Sequence, residues 1–508
     1  MLVKVFASAI NGINATVITI EVNVDMGIGY FLVGLQDNAI KESSHRISAA
    51  LKNCGYKMPG KKITINMAPA DMRKEGSAFD LTIAMGILSA SNQIEAKTLQ
   101  DYLVIGELSL DGSLQPIKGA LPIAIKAKQD GFKGIILPKQ NAKEAAIVNN
   151  IAVYGISHIK EAIDFFNNGI PLEKVEIDMK KEFLDRLSTF QHDFNDVKGQ
   201  ENVKRTLEIA ASGGHNILLI GPPGSGKTML AKRIASILPP LTLEEALETT
   251  TIHSVMGKLG SESALMIQRP FRSPHHTISD IALVGGGNNP QPGEISMSHN
   301  GVLFLDELPE FKRTVLEVMR QPLEDREVTI SRAKYSVTYP ASFMLVASMN
   351  PTPSGFFKDD PRNTSSQMDV QRYMNKVSGP LLDRIDIHVE VNPVPFNELT
   401  KERTGEKSIN IRERVIKARK IQEERFASVK HIHYNAQMES KQMDKYCVLN
   451  EESKTLIKNV VKKLNFSARS FDRILRVART IADLDNSTNI ETHHLSEAIQ
   501  YRTLDREL

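Results

Sequence analysis

The chain has 508 residues, of which 41% are hydrophobic and 24% charged, and its formal net charge is only +3. This composition is typical of a soluble globular protein of two to four domains, and it excludes a disordered chain or one with a strong global basic field. Because only two distant cysteines occur, and neither a run of 18 apolar residues nor a signal peptide is present, we expect a cytoplasmic protein without a membrane span.

Residues 1–170 are predicted to form a mixed α/β domain. Alternation of apolar and polar residues indicates a strand at the start of the chain and predicts strands at 15–24 and 61–70, and apolar residues at helical spacing predict a helix at 77–91. The turn sequence "LDGS" predicts a β-hairpin, and a further helix and the buried strand "GIILP" follow it.

Three segments follow this domain. Residues 171–195 are polar and begin with a proline, which predicts a linker with a short helix. Strand-like runs alternate with helices over 196–392, and this order predicts a parallel sheet that binds its ligand at the carboxyl ends of the strands. Residues 393–508 are predicted to be helical. The four helices are expected at 410–426, 450–464, 467–484 and 491–502.

The stretch "GPPGSGKT" fits the pattern G-x-x-x-x-G-K-[ST] at each fixed position, and it lies between a strand-like run and a helical run. Such a loop turns successive backbone N–H groups toward phosphate oxygens. We expect Lys227 to reach the β- and γ-phosphates of ATP and Thr228 to bind Mg²⁺ through its hydroxyl. The predicted nucleotide-binding residues are Gly221, Pro222, Pro223, Gly224, Ser225, Gly226, Lys227 and Thr228.

Two carboxylates follow the apolar run "VLFL" later in the chain. Asp306, at the end of this predicted strand, is expected to hold Mg²⁺ through water, together with Thr228. Glu307 is expected to orient and polarise the attacking water. Because a P-loop precedes the pair, we interpret these residues as catalytic rather than as a surface acidic turn.

Four further polar residues are candidates for contacts with the nucleotide. Asn350 ends the apolar run "LVASMN"; it either contacts the γ-phosphate or the attacking water, or caps the turn before a proline. Arg384 stands between two aspartates and is either a surface ion-pair partner or an arginine finger for the ATP of another subunit. Arg469 and Arg473 either lie on a helix surface or contact phosphate from a lid.

Residues 326–341, "REVTISRAKYSVTYPA", predict a β-hairpin. Its turn carries Arg332 and Lys334, and two cations at an exposed turn suit contacts with the phosphate backbone of DNA. The alternative is a solvated hairpin tip without a ligand. Aromatic residues that would stack on bases are sparse, and the chain has no tryptophan.

The P-loop, "FLDE", "SMNP", "LLDRID" and the C-terminal "SAR" together resemble the motifs of AAA+ ATPases. The stretches "FRSPHHTISDIALVGGG" and "PGEISMSHNGVLFLDELPEF" narrow the resemblance to the magnesium-chelatase-like YifB/ComM family, and it covers essentially the whole chain. It implies an α/β protein with an N-terminal Lon-protease-like α+β domain, a P-loop AAA+ core with a parallel sheet, and a C-terminal helical lid. The domain boundaries expected are 1–170, a linker at 171–195, 196–392 and 393–508.

The resemblance also implies an assembly and an activity. Members of this family form homo-hexameric rings that bind ATP and Mg²⁺ between subunits. Arg384 matches the family's trans-acting finger, Arg469 its lid sensor and Asn350 its first sensor. ComM-type members act as ATP-driven motors that extend DNA branches during recombination of incoming single-stranded DNA, so the partner implied is DNA.

One departure from the family concerns zinc. Relatives often carry a cysteine-rich insertion just after the sensor strand, whereas Thr352 and Ser354 stand here where its first cysteines would be, and no cysteine follows before Cys447. A hydroxyl is a poor zinc ligand beside thiolate or imidazole. We therefore expect no zinc and a loop held by ordinary packing around Phe356 and Phe357.

A second departure concerns the Lon-like domain. Lon chemistry needs a serine nucleophile and a lysine base within hydrogen-bond reach. By the most natural alignment Ala78 replaces the serine and Leu121 the lysine, while Ser77 and Lys118 lie out of place. We expect a catalytically inactive scaffold that stacks subunits or guides DNA.

Three functions compete at this point. The first is a hexameric DNA motor with branch-migration or helicase-type activity in recombination or natural transformation. The second is the ATPase subunit of magnesium chelatase, which the AAA+ core does not exclude but the Lon-like domain and the absence of a D-x-S-x-S motif disfavour. The third, a Lon-like peptidase, fails on its missing dyad. An effect of DNA or of porphyrin on ATP hydrolysis discriminates the first two.

Overall fold

A computed structural model describes residues 1–34, 37–72, 74, 76–177, 192–259, 265–287, 290–332, 335–399, 405–429, 431–464 and 467–502. The chain divides into two compact units. The first contains Met1–Leu187 and Thr242–Ile267, and the second contains Ser188–Leu241 and Gln268–Leu508. No helix within the described ranges is long and apolar enough to cross a membrane.

The first unit is built on a seven-stranded mixed sheet with the strand order β3-β4-β2-β1-β5-β8-β9, and β6 and β7 form a separate hairpin. The strands are β1 (Leu2–Asn11), β2 (Asn14–Asp25), β3 (Gly29–Val33), β4 (Lys62–Ala68), β5 (Tyr102–Val104), β6 (Glu107–Leu108), β7 (Leu114–Gln115), β8 (Gly134–Pro138) and β9 (Ala152–Ile156). The helices are α1 (Asn38–Lys41), α2 (Ser43–Asn53), α3 (Asp80–Ala90), α4 (Ala120–Gln129), α5 (Lys139–Ala145) and α6 (Ile159–Asn168).

The beginning of the chain forms two strands joined by a tight turn. β1 and β2 pair antiparallel, and their register closes with Asn11 opposite Asn14. The turn between them requires a left-handed backbone, which Gly12 supplies with a φ of 65°. The sequence pattern indicates alternation here without locating the turn.

The second unit continues the chain, with α9 as the one element below that belongs to the first unit. The helices are α7 (Glu201–Gly213), α8 (Lys227–Ile237), α9 (Leu243–Val255), α10 (Asp280–Val284), α11 (Glu294–Met297), α12 (Arg313–Glu317), α13 (Arg320–Asp325), α14 (Gln367–Met374), α15 (Gly379–Leu382), α16 (Phe396–Leu399), α17 (Ser408–Phe426), α18 (Ser440–Tyr446), α19 (Glu451–Leu464), α20 (Ala468–Leu484) and α21 (Thr492–Gln500). The strands are β10 (Ile217–Ile220), β11 (Phe271–Arg272), β12 (Gly285–Gly286), β13 (Gln291–Pro292), β14 (Val302–Leu305), β15 (Glu327–Arg332), β16 (Tyr335–Pro340), β17 (Met344–Met349) and β18 (Ile387–Glu390).

The main sheet of the second unit has the order β11-β14-β17-β10-β18, and each neighbouring pair is parallel. β10, β14 and β17 are buried along their whole length, as their continuous apolar runs predict. Their carboxyl ends therefore meet at one edge of the sheet. The predicted parallel-sheet core is confirmed.

The C-terminal region is helical, as predicted, but its described residues contain two helices more than expected, the four-residue α16 and α18. α17, α19, α20 and α21 correspond to the four predicted helices, and α18 was not predicted because its short sequence "SKQMDKY" carries little apolar periodicity. The short helix expected in the linker falls largely on residues 178–191, which lie outside the described residues.

In the chain, the helix α9 comes between α8 and β11 of the second unit, but it packs with the first unit. Its side chain Ser254 hydrogen-bonds the buried carboxylate of Glu144, and its backbone carbonyl at Ser254 accepts from the N–H of Gly119 at 3.0 Å. Burial raises the pKa of Glu144, and its hydrogen bonds with Ser254 and with the N–H of Leu121 oppose that shift. Residues 242–267 thus belong to the first unit, although the segments before and after them in the sequence belong to the second.

Candidate nucleotide-binding site

The loop at 221–228 joins the end of β10 to the start of α8, in the strand-loop-helix order that the sequence predicts. Gly224 and Gly226 have φ values of 77° and 91°, which favour glycine. A Cβ on Gly221 would lie 2.3 Å from the carbonyl oxygen of Val391, so this position has no room for a side chain. A Cβ on Gly224 would meet no atom within 4 Å, so the positive φ rather than crowding favours glycine at this position.

The other members of the loop differ in their exposure. Pro222 is buried, whereas Pro223 and Thr228 are exposed. The Oγ of Ser225 is buried and finds no hydrogen-bond partner within the part of the chain that the structure describes. A buried hydroxyl without a partner is costly, and a phosphate oxygen would satisfy it.

Lys227 brings the loop and the sensor strand together. Its Nζ donates to the carbonyl oxygens of Gly221 at 2.7 Å and Pro222 at 3.0 Å, and to Oδ1 of Asn350 at 3.2 Å. These three acceptors match the three donors of an ammonium group. Burial lowers the pKa of Lys227, and the charges of Asp306 and Glu307 oppose that shift.

Asp306 contacts both Thr228, at the start of α8, and a residue of the neighbouring strand β17. Its Oδ2 accepts a hydrogen bond from Oγ1 of Thr228 at 2.7 Å. Its Oδ1 accepts from the hydroxyl of Ser348, a fully buried residue on β17. The predicted pair Thr228 and Asp306 is thus in direct contact, and it presents only hard oxygen donors, which are the ligands that Mg²⁺ prefers.

Glu307 follows with an unusual backbone, since its φ and ψ of 56° and 52° place it in the left-handed region. Such a conformation is uncommon outside glycine and is concentrated at functional sites. The side chain of Glu307 lies 3.7 Å from Nδ1 of His276, measured to Oε2. His276 in turn packs against His275 and the edge of Phe311.

Three residues of this site were not predicted from the sequence. Ser348 and His276 contact the two carboxylates, as described above, and Gln200 supports the loop. The Nε2 of Gln200 donates to the carbonyl oxygens of Ser225 at 2.8 Å and Asn392 at 3.0 Å. Each had a signal in the sequence that could have pointed to it. Ser348 is a polar residue inside an apolar strand, His276 is one of two adjacent histidines, and Gln200 is a polar residue just before a helix.

The arginines expected to contact nucleotide lie around a different cavity of the second unit, with a volume of about 770 Å³. Arg384 is buried, forms an ion pair with Glu324 and donates to the carbonyl oxygen of Pro380 at 2.6 Å. Arg469 and Arg473 line the same cavity. Within the described residues, none of these arginines contacts the 221–228 loop, Asp306 or Glu307.

The two lid arginines differ in their partners. Arg469 is mostly exposed, and its Nη1 lies 3.9 Å from Oδ2 of Asp383. Arg473 forms an ion pair with the buried carboxylate of Asp386. Burial would raise the pKa of Asp386, but Arg473 and a hydrogen bond with His215 outweigh burial and hold the pKa well below its usual range. Arg469 is therefore the freer of the two.

The hairpin predicted to carry DNA contacts is present as β15 and β16, and Arg332 pairs with Tyr335 at its end. The side chain of Arg332 and all of Lys334 lie outside the described residues. Their role in DNA binding stays a prediction.

The loop after the sensor strand is held by hydroxyl and amide groups. The buried Oγ1 of Thr352 lies 3.0 Å from Oγ of Ser354 and donates to the carbonyl oxygen of Phe356 at 2.7 Å. The Oγ of Ser354 donates to Oδ1 of Asn363 at 2.8 Å. The guanidinium of Arg362 covers the ring of Phe356 at 4.2 Å. Polar contacts thus contribute to this loop beside the expected packing around phenylalanine.

In the first unit, the positions of the peptidase dyad carry apolar side chains. Leu121 is buried in the first turn of α4, and Ala78 is partly buried. Ser77 is partly buried and Lys118 is exposed. The expectation of an inactive scaffold stays a prediction.

Three family profiles match consecutive parts of the chain. Residues 193–399 match the profile described as "Magnesium chelatase, subunit ChlI", and residues 405–502 match its C-terminal counterpart. Residues 20–141 match a profile described as "Subunit ChlI of Mg-chelatase". Because that description also covers the N-terminal domain, the domain does not by itself argue against the chelatase alternative.

Individual relatives cover the whole chain. "Competence protein ComM" of Haemophilus influenzae is 44% identical over 506 residues, which are 99% of this chain and 97% of that protein. "Uncharacterized protein YifB" of Escherichia coli is 44% identical over 97% of this chain and 96% of its own length. "Lon protease 2" of Bacillus subtilis is 32% identical over 28% of this chain and 27% of its own length. The predicted fold class, with its Lon-like similarity, is confirmed.

Proposed function

Because the chain belongs to the ComM/YifB family of magnesium-chelatase-like AAA+ ATPases, we propose that it forms a homo-hexameric ring that hydrolyses ATP to drive movement along DNA. The observation that carries the ATPase part is the meeting of three strand ends. At one edge of the sheet, β10 is followed by the loop with Lys227 and Thr228. β14 is followed there by Asp306 and Glu307, and β17 by Asn350.

The loop and Lys227 bind the triphosphate in this proposal. The glycine-rich turn at Gly224 and Gly226 suits phosphate oxygens, as does the buried hydroxyl of Ser225, which has no partner among the described residues. Phosphate oxygens replace the backbone carbonyls and the amide of Asn350 as acceptors for Lys227, and the sensor amide then turns to the γ-phosphate or to the attacking water. The positive end of α8, which begins at Lys227, adds to the attraction.

The oxygen donors of Thr228 and Asp306 fit Mg²⁺, which when bound neutralises charge that develops on the phosphates. Glu307 orients the attacking water and withdraws its proton. The carboxylate of Glu307 lies beside His276 and that of Asp306 beside Thr228, so one carboxylate serves the metal and the other the water.

Arg384 and Arg469 act on the ATP of a neighbouring subunit in this proposal. Both line a cavity whose lining includes neither the P-loop nor Asp306 or Glu307, and in this proposal a ring places that cavity against the next subunit's nucleotide. Arg384 then exchanges Glu324 for a phosphate. Stabilisation of the transition state by such an arginine increases turnover by about a thousandfold or more.

A mixing experiment tests this shared site. Arg384→Ala and Lys227→Ala subunits are each expected to be inactive alone, whereas an equimolar mixture recovers up to roughly a quarter of wild-type turnover, because that share of interfaces pairs an intact P-loop with an intact finger. The control mixes Lys227→Ala with the Lys227→Ala/Arg384→Ala double variant, which offers no intact interface. A co-assembled mixture without recovery would contradict a site shared in trans.

DNA is the proposed partner, and the protein is proposed to act in the cytoplasm on single-stranded or branched DNA during recombination or natural transformation. The relative from Haemophilus influenzae is described as a competence protein, which supports this choice of substrate. Arg332 and Lys334, at the hairpin of β15 and β16, are proposed to contact the DNA backbone.

The function is tested by the effect of DNA on ATP turnover. We expect single-stranded, forked or four-way-junction DNA to raise turnover several-fold. We also expect the logarithm of the affinity for DNA to fall, for each tenfold rise in salt concentration, by about 0.7 to 0.9 for every phosphate contact. The Arg332→Ala/Lys334→Ala variant should flatten this slope while basal turnover persists.

The matched control removes two exposed cations elsewhere, Lys52→Ala/Lys97→Ala, and should leave the slope unchanged.

The alternative function, the ATPase subunit of magnesium chelatase, is favoured by the descriptions of the matching profiles. If no form of DNA changes the rate while a porphyrin with a partner chelatase subunit raises it, the chelatase function replaces the DNA motor.

A further inference from the structure

Ser348 is a polar residue in the middle of the buried sheet of the second unit. It lies on β17, whose six residues are all buried, and its own exposure is 0%. β17 has β14 on one side and β10 on the other. Ser348 is therefore surrounded by the strands that supply the P-loop and the two carboxylates.

The hydroxyl of Ser348 contacts both carboxylate residues. It hydrogen-bonds Oδ1 of Asp306 and lies 3.3 Å from the backbone nitrogen of Glu307. A hydroxyl has one hydrogen to donate. Because the N–H of Glu307 is itself a donor, the hydroxyl accepts from it and must donate its own hydrogen to Asp306. The directions of both hydrogen bonds are thus fixed.

This arrangement decides which oxygen of Asp306 faces the metal site. Oδ1 accepts from Ser348 and from the N–H of Glu307 at 3.2 Å, which leaves Oδ2 toward Thr228 at 2.7 Å. Without the hydroxyl of Ser348, the carboxylate of Asp306 would lose one of the three hydrogen bonds that restrain rotation about its Cβ–Cγ bond.

Ser348 also connects the carboxylates to the sensor. Ser348 pairs with Leu219 of β10 in the parallel ladder, and Asn350 follows it two residues later. A shift of β17 therefore moves both the amide that contacts Lys227 and the hydroxyl that holds Asp306.

We propose that Ser348 is a positioning residue that orients Asp306 for Mg²⁺ and fixes the backbone of Glu307. This inference rests on the proposed ATPase site and goes beyond it, because Ser348 begins the motif "SMNP" but was given no role in the sequence analysis. The alternative is a buried serine that only satisfies its own hydrogen bond. The two differ in their effect on the Mg²⁺ requirement of nucleotide binding, which a purely structural serine does not control.

The experiment measures binding of a fluorescent ATP analogue to the full-length protein as Mg²⁺ is titrated, and also without Mg²⁺. For Ser348→Ala we expect the half-saturating Mg²⁺ concentration to rise about tenfold, the effect of one lost hydrogen bond to a charged group. Binding without Mg²⁺ stays within about twofold of wild type, because Lys227 and the loop are unchanged. Ser348→Thr retains the hydroxyl and should restore the wild-type requirement.

Two comparisons separate the possible outcomes. Ser236→Ala removes another buried hydroxyl of the same unit, one that contacts the carbonyl oxygen of Arg233 at 2.7 Å and Oγ of Ser408 at 2.9 Å, and it should leave the Mg²⁺ requirement unchanged. Asp306→Asn should raise the requirement more than Ser348→Ala does. A normal requirement in Ser348→Ala beside a raised one in Asp306→Asn overturns the role of Ser348 alone.

If Asp306→Asn also behaves as wild type, the assignment of the metal site is wrong and the role of Ser348 falls with it. If Ser348→Ala unfolds, the Ser348→Thr variant decides. A raised requirement despite its retained hydroxyl overturns the proposal, and a normal one supports it.

Discussion

Replacing Lys227 with alanine is expected to reduce ATP turnover by at least about a hundredfold and to weaken ATP binding. In the structure its ammonium group is held by two loop carbonyls and by Asn350, so it points into the loop rather than into solvent. A hydrogen bond to a charged group contributes about 1.5 to 3 kcal/mol, and Lys227 is expected to make more than one to the β- and γ-phosphates. Turnover is measured as phosphate release, and binding with a fluorescent analogue.

The control for this prediction is Lys232→Ala, which removes an exposed lysine from the same helix, α8. That variant should keep wild-type turnover and binding. Both variants should have similar melting temperatures, because a half-buried lysine whose partners are mainly backbone carbonyls adds little stability. Near-wild-type turnover in a folded Lys227→Ala protein would remove the assignment of the P-loop.

Glu307→Gln should bind ATP with near-wild-type affinity but hydrolyse it about a hundred to ten thousand times more slowly. The amide still hydrogen-bonds water but does not accept its proton. The backbone of Glu307 is held by Asp306 and Ser348 through its N–H, so the substitution leaves the strand end in place. The measurement pairs single-turnover hydrolysis with retention of labelled ATP on the assembled ring.

The matched variant is Glu310→Gln, three residues further along, where the carboxylate forms an exposed ion pair with Lys376 at 3.1 Å. Exposed pairs contribute about 0 to 1 kcal/mol, so this variant should hydrolyse ATP normally. If Glu307→Gln turns over like Glu310→Gln, then Glu307 is not the base and His276, its neighbour at 3.7 Å, becomes the next group to test.

Much of the fold could be predicted because strong local signals carry it. The apolar runs of β10, β14 and β17 are too short for helices. β10 leads into the glycine-rich loop and the other two lead into polar residues, so their carboxyl ends were recognisable as a site. The packing of α9 with the first unit was not predictable, since its capping and periodicity are those of any surface helix and its partner Glu144 lies 110 residues earlier. Likewise, alternation alone does not locate the turn at Gly12.

In the candidate site, too, some residues were predictable from local motifs and others were not. Lys227, Thr228 and Asp306 belong to motifs whose spacing reflects phosphate and metal geometry. The structure places Thr228 in contact with Asp306, whose charge also acts on Lys227, and their roles stay predictions. Ser348 contacts Asp306 across 42 residues of chain because β17 lies between β10 and β14 in space but after both in sequence. That strand order is a property of the assembled sheet, so no local pattern reports it.

The arginines illustrate a further limit. Arg384 and Arg469 were recognisable only through family motifs, and in one chain they line a cavity without touching the P-loop. A role in trans depends on a second subunit, and the sequence of one chain does not describe how two subunits meet. The mixing experiment with Arg384→Ala addresses that contact directly.

The central claim is that ATP hydrolysis moves this protein along DNA, and strand displacement from a labelled forked DNA tests it most directly. The account predicts that the wild-type ring displaces the strand with ATP and Mg²⁺, whereas the Glu307→Gln ring binds the fork with ATP and does not displace it. A non-hydrolysable ATP analogue should likewise support binding without displacement. Wild-type protein that hydrolyses ATP and binds the fork, yet leaves every strand and branch in place, would contradict the account.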